Sequence, residues 1–240
     1  TSIMAKEKIA VITGSSGGIG LATVKLFLKN KIKVYGLDIN HTNLKNKKFR
    51  FVQCDVSQKK CLENTEIQEN IDIIVNTAGL LYYDYQKRFE DMMRVNFHGT
   101  VNTIERFIDH MKKNGGKIVN VASTGPLFSS TENITDYSIT KSMIITYTRR
   151  LAYELGKYGI NVNAVAPGFI ETGMTKNTMD EISWKNKRDE ISKKAVLNRI
   201  GYPEDVAGVI LFLSSSYSDY ITGQIIVVDG GRMDYFTHSL

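Results

Sequence analysis

The feature that most constrains the fold of this chain is a regular alternation of short apolar runs with longer stretches of helical character. The runs are rich in Val and Ile and are too short for helices, which is typical of buried β-strands. Strands that alternate with helices form a parallel sheet covered by helices on both faces. The sequence therefore predicts an α/β fold with strands at residues 9–12, 34–37, 49–54, 71–75, 117–121, 161–165 and 225–228.

The segments between these runs predict how the chain is organised. Helices are expected at residues 19–29, 89–113, 137–157 and 204–214. No repeat or linker divides the sequence, so residues 1–240 are interpreted as a single domain. The polar segment 172–198 interrupts the alternation of strands and helices. It follows the carboxyl end of a strand, where α/β proteins bind ligands. We interpret it as a substrate lid, with an ordinary surface excursion as the alternative.

Composition excludes several functional classes. The two cysteines, Cys54 and Cys61, are too few for a disulfide framework or a structural zinc site, and they favour a reduced, cytoplasmic setting. The net charge of +6 comes from scattered lysines without interleaved aromatic residues, which argues against a nucleic-acid surface. No apolar stretch approaches the ~18 residues that span a bilayer. The four histidines show no ligand spacing, so we expect no metal site. Together these observations also predict no membrane or nucleic-acid partner.

A glycine-rich loop at residues 13–20 follows the first predicted strand. Glycines permit a tight turn close to a ligand, and N–H groups at the following helix start attract phosphate. The position between the first strand and the first helix favours a dinucleotide site over a plain turn. The spacing is Gly-x-x-x-Gly-x-Gly, which differs from the commoner Gly-x-Gly-x-x-Gly of such sites. The predicted cofactor contacts in this loop are Gly14, Ser16, Gly18, Ile19 and Gly20.

Asp38 ends the second predicted strand, 24 residues after Gly14. A carboxylate there can accept hydrogen bonds from both hydroxyls of an adenosine ribose and repels a 2′-phosphate, so it predicts NAD(H) in preference to NADP(H). No Lys or Arg stands at Ser15 or Ser16, or directly after Asp38, to hold such a phosphate. The nearest lysine is Lys45, and if the stretch that carries it bends inward, its side chain could hold a 2′-phosphate and favour NADP(H). The other alternative is that Asp38 only caps a turn.

Tyr137 and Lys141 stand four residues apart in a helix-compatible stretch, which places a phenol and an ammonium on one helix face. An unperturbed tyrosine has a pKa near ~10, too high for a base at neutral pH. A fixed cation nearby favours the phenolate and lowers that pKa. Such pairs are common on helix surfaces, so the catalytic interpretation depends on the rest of the chain.

Together these motifs resemble the short-chain dehydrogenase/reductase family over nearly the whole chain, from residues 13–20 to 228–231. The resemblance implies a Rossmann-type, doubly wound domain with a mostly parallel, seven-stranded sheet. It identifies Tyr137 as the acid/base, Lys141 as its partner and a ribose ligand, and Ser123 as the group that steadies the substrate oxygen. Asn96 would hold a water that links Lys141 to solvent, with a role in bridging backbone groups as the alternative.

The resemblance also implies further contacts with the cofactor. They come from an Asp-Val pair, an Asn-x-Ala-Gly motif, and a Pro-Gly motif with a following threonine. Tyr137 and Lys141 are expected to contribute as well. The additional residues are Asp55, Val56, Asn76, Ala78, Gly79, Pro167, Gly168, Ile170 and Thr172.

Several positions depart from the family pattern. Thr77 replaces the usual second Asn, and the stretches 38–49 and 79–96 are shorter than usual, which leaves little room for a helix in the first of them. The gap before Tyr137 is one residue longer than expected, so Thr124 is a minor rival to Ser123. Tyr82 and Tyr83 are candidates for the substrate pocket, with surface packing as an equal alternative.

The resemblance implies an NAD(H)-dependent oxidoreductase that interconverts an alcohol and a carbonyl of a small molecule. Because cells keep NAD largely oxidised, Asp38 favours oxidation of a sugar or secondary alcohol. The segment 198–206 resembles 3-oxoacyl-carrier-protein reductases as much as sugar dehydrogenases, so the former are the alternative. A non-catalytic NADH-sensing regulator is a remote alternative, because such proteins usually lose the Tyr or Lys that this chain retains.

The family resemblance also implies a homo-oligomer, a homotetramer in our interpretation. Related proteins pair helices equivalent to 89–113 and 137–157 across a two-fold axis. Ile144, Tyr147 and Leu151 recur at helical spacing and are compatible with a buried stripe at such an interface or against the chain's own sheet. The terminal segment 227–240 is a candidate for a second interface.

Overall fold

The computed structural model of the chain describes residues 7–83, 88–128, 132–177 and 179–234. The strands are β1 (Ile9–Thr13), β2 (Lys33–Asp38), β3 (Phe49–Gln53), β4 (Ile73–Asn76), β5 (Gly116–Val121), β6 (Ile160–Pro167) and β7 (Ile225–Val228). The helices are α1 (Gly18–Lys29), α2 (Lys59–Glu63), α3 (Phe89–Met92), α4 (Gly99–Asn114), α5 (Thr135–Leu155), α6 (Gly173–Lys176), α7 (Glu181–Lys194) and α8 (Pro203–Leu213). A π-helical turn (Met93–His98) joins α3 to α4.

The seven strands form one parallel sheet in the order β3-β2-β1-β4-β5-β6-β7. The first three strands extend the sheet in one direction, and the chain then crosses back to place β4 on the other side of β1. The loops that follow β1 and β4 therefore diverge and leave a crevice at the carboxyl edge. This switch point is where open α/β sheets bind their ligands.

Alternate residues of each strand face two separate hydrophobic cores. In β1, Ala10 and Ile12 pack with Phe27 of α1, in a core to which α8 also contributes. Val11, between them, packs into the opposite core with Phe107 of α4. This period of two is the pattern of a sheet that is buried on both faces. The predicted three-layer α/β fold is confirmed.

The predicted strands agree with the observed ones to within two residues at each end. As the short spacing predicted, residues 39–48 contain no helix. The helix expected at residues 89–113 is instead interrupted by the π-helical turn Met93–His98. A π-helical turn inserts one extra residue into a helix. This changes the apolar periodicity too little to be detected in the sequence, so the pattern predicted a continuous helix.

The segment 172–198 contains two helices, α6 and α7, that the sequence analysis did not predict. Trp184 of α7 is buried and stacks on Phe169, with ring centroids 5.6 Å apart. Asp180 caps the start of α7 by accepting the backbone N–H groups of Ile182 and Ser183. The side chain of Trp184 therefore anchors α7 beside the loop that follows β6.

The apolar stripe on α5 faces the chain's own core. Ile144 is 1% exposed, and Tyr147 and Leu151 pack against the core that contains Phe107. The stripe therefore packs against the chain's own sheet, with Tyr147 and Leu151 half-buried, and its part in an interface stays a prediction. The exposed side of α5 carries polar residues together with Tyr153, which is 82% exposed.

No helix in the described part of the chain is long and apolar enough to cross a membrane. The candidate interface segment 227–240 is only partly visible, because residues 235–240 lie outside the described residues. Its visible part includes the end of β7 and the residues that follow, which contact the end of α7.

Candidate active site

A cleft of about 1110 Å³ runs along the carboxyl edge of the sheet. It extends from the loops after β2 and β3 to the loops after β5 and β6, beside the starts of α1 and α5. Because the carboxyl ends of parallel strands meet at one edge, it gathers residues that are distant in sequence. Predicted site residues that line it are Gly14, Ser16, Gly18, Ile19, Gly20, Asp38, Asp55, Val56, Ala78, Gly79, Ser123, Tyr137, Lys141, Pro167, Gly168, Ile170 and Thr172.

The glycine loop forms a close turn at the start of α1. Gly14 and Gly18 have φ angles of +65° and +49°, a region that favours glycine. Gly17 precedes α1 and provides no side-chain cap, so the first N–H groups of the helix face the cleft. A Cβ atom on Gly20 would lie 1.9 Å from the Gly14 carbonyl oxygen. This bare backbone cradle fits the pyrophosphate of a dinucleotide.

Gly20→Ala is expected to destabilise the protein by about 1–3 kcal/mol or more, as overpacking does, and to weaken NADH binding. The reason is the contact with the Gly14 carbonyl, which neither backbone can relieve. Thermal unfolding and NADH titration would measure both effects. Gly17→Ala is the matched control, since a Cβ there meets nothing within 4 Å and the φ of −154° suits alanine. Equal melting temperatures for the two variants would contradict the prediction.

Asp38 is held in a fixed orientation at the adenosine end of the cleft. Its Oδ2 accepts the Ser16 N–H at 3.0 Å, and its Oδ1 accepts the Asn40 N–H at 2.9 Å. The Ser16 hydroxyl donates to the Asn40 carbonyl at 2.6 Å, which ties the glycine loop to the segment after β2. These two bonds fix the orientation in which the Asp38 carboxylate borders the cleft.

The lysines that follow Asp38 do not line this cleft within the described chain. Lys48 donates to the carboxylate of Glu7 at 2.5 Å, and Lys47 borders a separate surface hollow near Tyr35. Lys45 is exposed. The alternative in which these side chains reach a 2′-phosphate therefore finds no support in their positions.

The ends of β3 and β4 complete the adenosine side. Asp55 accepts the Ser57 N–H at 2.9 Å, which shapes the turn that carries Val56. Thr77 replaces the expected Asn, and its hydroxyl donates to the Thr13 carbonyl at 2.5 Å, so it links the ends of β1 and β4. The Ala78 N–H donates to the Thr13 hydroxyl at 3.2 Å, which strengthens the same link.

Asn76 does not reach the cleft. Its side chain is 3% exposed and donates to Asn120 at 2.9 Å. Asn120 in turn donates to Thr148 of α5 at 3.0 Å. This buried chain of polar groups connects β4, β5 and α5 beneath the cleft. Asn76 thus holds a supporting position behind the loop of Ala78 and Gly79, and its contact with a cofactor stays a prediction.

Tyr137 and Lys141 lie on one face of α5 beneath the reacting end of the cleft. The Lys141 Nζ is 5.8 Å from the centre of the Tyr137 ring and donates to the Val121 carbonyl at 2.8 Å. The Tyr137 hydroxyl is hydrogen-bonded with Ser123. Ser123 also accepts the Gly125 N–H at 3.1 Å, which orients its side chain. Ser123 and not Thr124 is therefore the hydroxyl that faces Tyr137.

Burial dominates the ionisation of this pair. It raises the pKa of the Tyr137 phenol to about 12, while the Ser123 hydrogen bond lowers that pKa and the proximity of Tyr83 raises it. It lowers the pKa of the Lys141 ammonium to about 8. The causes of this shift do not include Lys141, whose ammonium donates to the Val121 carbonyl. The phenol is protonated at neutral pH and is a proton donor in this state.

The lowered pKa of Lys141 predicts a specific pH dependence of stability. Between about pH 8 and 10.5 the folded protein has released this proton and the unfolded chain still binds it, so the free energy of unfolding rises with pH. The rise contributed by this group is roughly 3 kcal/mol at most. Lys141→Met should remove it, as measured by denaturant unfolding across this range. The exposed Lys113→Met should retain the wild-type slope, and a slope common to all three proteins would contradict the prediction.

Asn96 sits in the π-helical turn, is buried and does not line the cleft. Its side chain accepts the Leu80 N–H at 2.7 Å and donates to the Leu80 carbonyl at 3.0 Å and to Thr140 at 2.9 Å. A Cβ atom on Gly79 would lie 3.4 Å from Asn96 Oδ1 and 3.5 Å from Lys141 Nζ. The side chain thus bridges backbone groups, the alternative stated above, directly beside Lys141.

The loop after β6 closes over the glycine loop. Thr172 lies so close to Gly18 that a Cβ there would be 3.3 Å from its Cγ2 methyl. Thr172 and Thr175 form a capping box at the start of α6. Ile170 is 4% exposed and pairs with Gly201 in an isolated bridge. These contacts place the Pro-Gly loop across the cleft from α1.

Several charged residues that line the cleft were not predicted from the sequence. Tyr82 and Tyr83 line the cleft as expected, and the Arg88 guanidinium lies 3.7 Å from the centre of the Tyr82 ring. Arg94 and Arg232 also line the cleft but were not predicted. Arg232 directly follows the Gly-Gly pair that ends the last motif, and a charged residue at that place is a signal that could have identified it.

No group of three or more potential metal ligands occurs among the residues that the structure describes. Cys54 lines the cleft and Cys61 packs beside it, and both are free thiols.

Comparison with known proteins extends these observations. A family profile described as enoyl-(acyl carrier protein) reductase matches residues 14–233. The 3-oxoacyl-[acyl-carrier-protein] reductase FabG of Chlamydia pneumoniae is 38% identical, over 93% of this chain and 96% of that protein. An NAD-dependent glycerol dehydrogenase of Listeria innocua is 31% identical, over 94% of this chain and 93% of that protein.

Solved structures agree with the fold. The ligand-free aldohexose dehydrogenase of Thermoplasma acidophilum superposes with a TM-score of 0.87 at 26% identity, covering 97% of both chains. ElxO with bound NADP superposes with a TM-score of 0.84 at 29% identity, covering 94% of this chain and 98% of that one. The names of these relatives include three different kinds of substrate and both NAD and NADP.

Proposed function

The chain belongs to the short-chain dehydrogenase/reductase family and is an oxidoreductase of CH–OH groups that uses a nicotinamide dinucleotide, and we propose that its cofactor is NAD(H) and its substrate a sugar or secondary alcohol. The observation that carries the proposal is the fixed carboxylate of Asp38 at the adenosine end of the cleft. It offers acceptors for two ribose hydroxyls and repels a 2′-phosphate.

The residues present fit a dinucleotide. The start of α1 would hold its phosphates and Asp38 its ribose, while Asp55, Val56, Ala78 and Gly79 would border the adenosine half. Pro167, Gly168, Ile170 and Thr172 would close over the other half. When bound, the nicotinamide ring accepts or supplies a hydride. We assign to Lys141 a further contact with its ribose, since the ammonium already lies beside Gly79.

Tyr137 moves the proton in this proposal. In reduction its hydroxyl donates to the carbonyl oxygen of the substrate, and in oxidation the phenolate removes the hydroxyl proton. Ser123 donates a hydrogen bond to the same oxygen as charge develops there. Asn96 acts as a positioning residue, because it holds the Leu80 backbone and Thr140 beside Lys141. A route for protons past Lys141 to solvent is part of the same proposal.

The second candidate is a 3-oxoacyl-carrier-protein reductase. The specific observation in its favour is the 38% identity with the FabG protein of Chlamydia pneumoniae over nearly the full length of both chains. The segment 198–206, which resembles both groups, pairs with the loop after β6 through Gly201 and Ile170 but does not distinguish the two groups.

One assay separates the two candidates. Purified protein is mixed with NAD and a panel of sugars and secondary alcohols, and with NADH or NADPH and a 3-oxoacyl thioester, while NADH or NADPH absorbance is followed. We expect turnover of at least one alcohol with NAD. Turnover confined to the thioester with NADPH would overturn the proposed substrate and cofactor and support the second candidate.

We further propose a homotetramer in the cytoplasm, with residues 172–198 as a lid over the substrate. Trp184 anchors the middle of this segment, so the mobile part of the lid would be the short α6 region that borders the cleft. Light scattering at micromolar concentration tests the assembly, and a monomeric mass would contradict it. The exposed face of α5, including Tyr153, is the surface proposed for the two-fold contact.

A further inference from the structure

Cys54 and Cys61 form a pair of neighbouring thiols at the adenosine end of the cleft. Cys54 is 2% exposed and lines the cleft, whereas Cys61, on α2, is half-buried and packs against the same core. The two thiols are hydrogen-bonded with each other. The Cys61 thiol also donates, at 4.0 Å, to the carbonyl of Gln53, the residue before Cys54. The two sulfur atoms are therefore close neighbours that no covalent bond joins.

The two thiols differ in how readily an oxidant can reach them. Burial raises the pKa of the Cys54 thiol, and so does its hydrogen bond with Cys61. A thiol with a raised pKa contains little thiolate at neutral pH and reacts slowly with an oxidant. Cys61 is only half-buried, so an oxidant meets it first. Cys54 is then in position to act as the second, resolving thiol.

Cys54 belongs to the part of the chain that surrounds the adenosine end of the cleft. Its backbone N–H donates to the Asp38 carbonyl at 2.9 Å, which holds the end of β2. Asp55 and Val56 directly follow it and line the cleft. A displacement of Cys54 would therefore move backbone that contacts Asp38 and residues that border the same end of the cleft.

The turn between the two cysteines is fixed to the rest of the domain. The Gln58 N–H donates to the Asp55 carbonyl at 3.0 Å, and the Val56 carbonyl accepts the side-chain N–H of Asn102 in α4 at 3.0 Å. A disulfide needs sulfur atoms about 2.05 Å apart, which is closer than two hydrogen-bonded thiols approach. Formation of the bond must therefore draw α2 and the end of β3 together and shift this turn.

We propose that Cys54 and Cys61 are an oxidative modification site, at which a peroxide forms a disulfide that weakens binding of the dinucleotide. The inference rests on the proposed function, because it takes Asp38 and the residues after Cys54 as the border of the adenosine site. Cys54 follows β3 and Ser123 follows β5, on the other side of β1, so the modification acts at a distance from the reacting groups.

The oxidation proceeds in two steps with hydrogen peroxide as the oxidant. The Cys61 thiolate attacks one peroxide oxygen, so that an S–O bond forms and the O–O bond breaks. The hydroxide that leaves takes up the proton released by the thiol, and Cys61 is now a sulfenic acid. The Cys54 sulfur then attacks the Cys61 sulfur, so that the S–S bond forms and the S–O bond breaks, with loss of a second water. The two thiols together lose two electrons, and the peroxide is reduced to two waters.

A purely structural role for the pair makes a different prediction. Free cysteines are often buried as small hydrophobic residues. In that case peroxide would form no bond between Cys54 and Cys61, and oxidation of Cys61 alone would leave the affinity for the dinucleotide unchanged.

The test treats the full, reduced chain with hydrogen peroxide, removes the excess with catalase, and measures the intact mass and the binding of NADH and NADPH. Wild type should lose about 2 Da, the two thiol hydrogens, and form no cross-linked dimer on a non-reducing gel. Peptide mapping should join Cys54 to Cys61. The Kd for the dinucleotide should rise by at least about tenfold and return to its starting value with dithiothreitol.

Cys61→Ser is the matched control, because Cys61 does not line the cleft and serine replaces only the sulfur. Its Kd should equal that of reduced wild type before and after peroxide. Cys54→Ala removes the resolving thiol, so its Cys61 should gain about 32 Da as a sulfinic acid while peroxide leaves the Kd of this variant unchanged. This second variant separates the effect of the disulfide from that of oxidising Cys61. If the alanine variant is unstable, Cys61→Ser still tests the proposal.

Four outcomes would overturn the proposal. They are an unchanged mass of wild type, a disulfide between two chains, a Cys54–Cys61 disulfide that leaves the Kd unchanged, and an equal loss of affinity in wild type and Cys61→Ser. A reduced wild type that binds neither dinucleotide would contradict the proposed function, and with it the effect on the cofactor. Binding of NADPH alone would overturn only the choice of NAD(H), and a peroxide-dependent rise in its Kd would still support the modification site.

Discussion

Replacing Tyr137 with Phe is expected to lower kcat by about 10²–10⁴-fold, the range that a positioned general acid–base contributes. Only the hydroxyl is lost, and the ring can still pack on α5. The variant should bind NADH with nearly the wild-type Kd, because the glycine loop and Asp38 are untouched. Steady-state kinetics and NADH titration measure the two effects separately.

Tyr147→Phe is the matched control for this variant. Tyr147 lies on the same helix, and burial also raises the pKa of its phenol to about 12, but it packs against Phe97 and does not line the cleft. It should retain wild-type turnover. A Tyr137→Phe enzyme that keeps most of its kcat would show that another group transfers the proton.

The state of the Tyr137 phenol also bears on the direction of the reaction. A phenol whose pKa is raised to about 12 is protonated at neutral pH, which suits donation to a carbonyl. Oxidation requires the phenolate, which the Ser123 hydrogen bond favours. We therefore expect reduction of a carbonyl to remain fast at neutral pH, whereas oxidation of an alcohol accelerates as the pH rises.

Local patterns in the sequence predicted most of the fold. The strands were identifiable because each is buried on both faces, and such burial requires an uninterrupted Val- and Ile-rich run. The lack of a helix between β2 and β3 followed from the number of residues available. The π-helical turn around Asn96 was not predictable, because local spacing does not reveal the hydrogen bonds that Asn96 forms with Leu80, sixteen residues away.

The candidate site likewise has features that local spacing predicts and features that depend on distant contacts. Gly20, Asp38, Tyr137 and Lys141 were predictable because their spacing relative to a strand or within a helix carries the chemistry. The direction of the Asn76 side chain was not, because it is set by Asn120 on the neighbouring strand. The pKa values of Tyr137 and Lys141 depend on burial by the whole domain, which a spacing cannot express.

Cofactor choice is the second large effect that we expect, and it depends on one side chain. The unmodified protein should favour NAD(H) over NADP(H) by at least about tenfold in kcat/KM, a difference of ~1.4 kcal/mol. A 2′-phosphate would face the Asp38 carboxylate, whose two oxygens are already oriented by the Ser16 and Asn40 N–H groups. Loss of the paired ribose hydrogen bonds adds to that cost.

The double change Asp38→Ala with Ile39→Arg should shift the preference towards NADP(H). Ile39 lines the cleft and is 57% exposed, so an arginine there can reach a phosphate without disturbing the core. A guanidinium then replaces repulsion with paired hydrogen bonds. Ile39→Arg alone should still favour NAD(H), because Asp38 remains to repel the phosphate and to pair with the new arginine. Steady-state kinetics with both cofactors would decide, since equal or better efficiency of the unmodified protein with NADP(H) would refute the assignment of Asp38 as the ribose ligand.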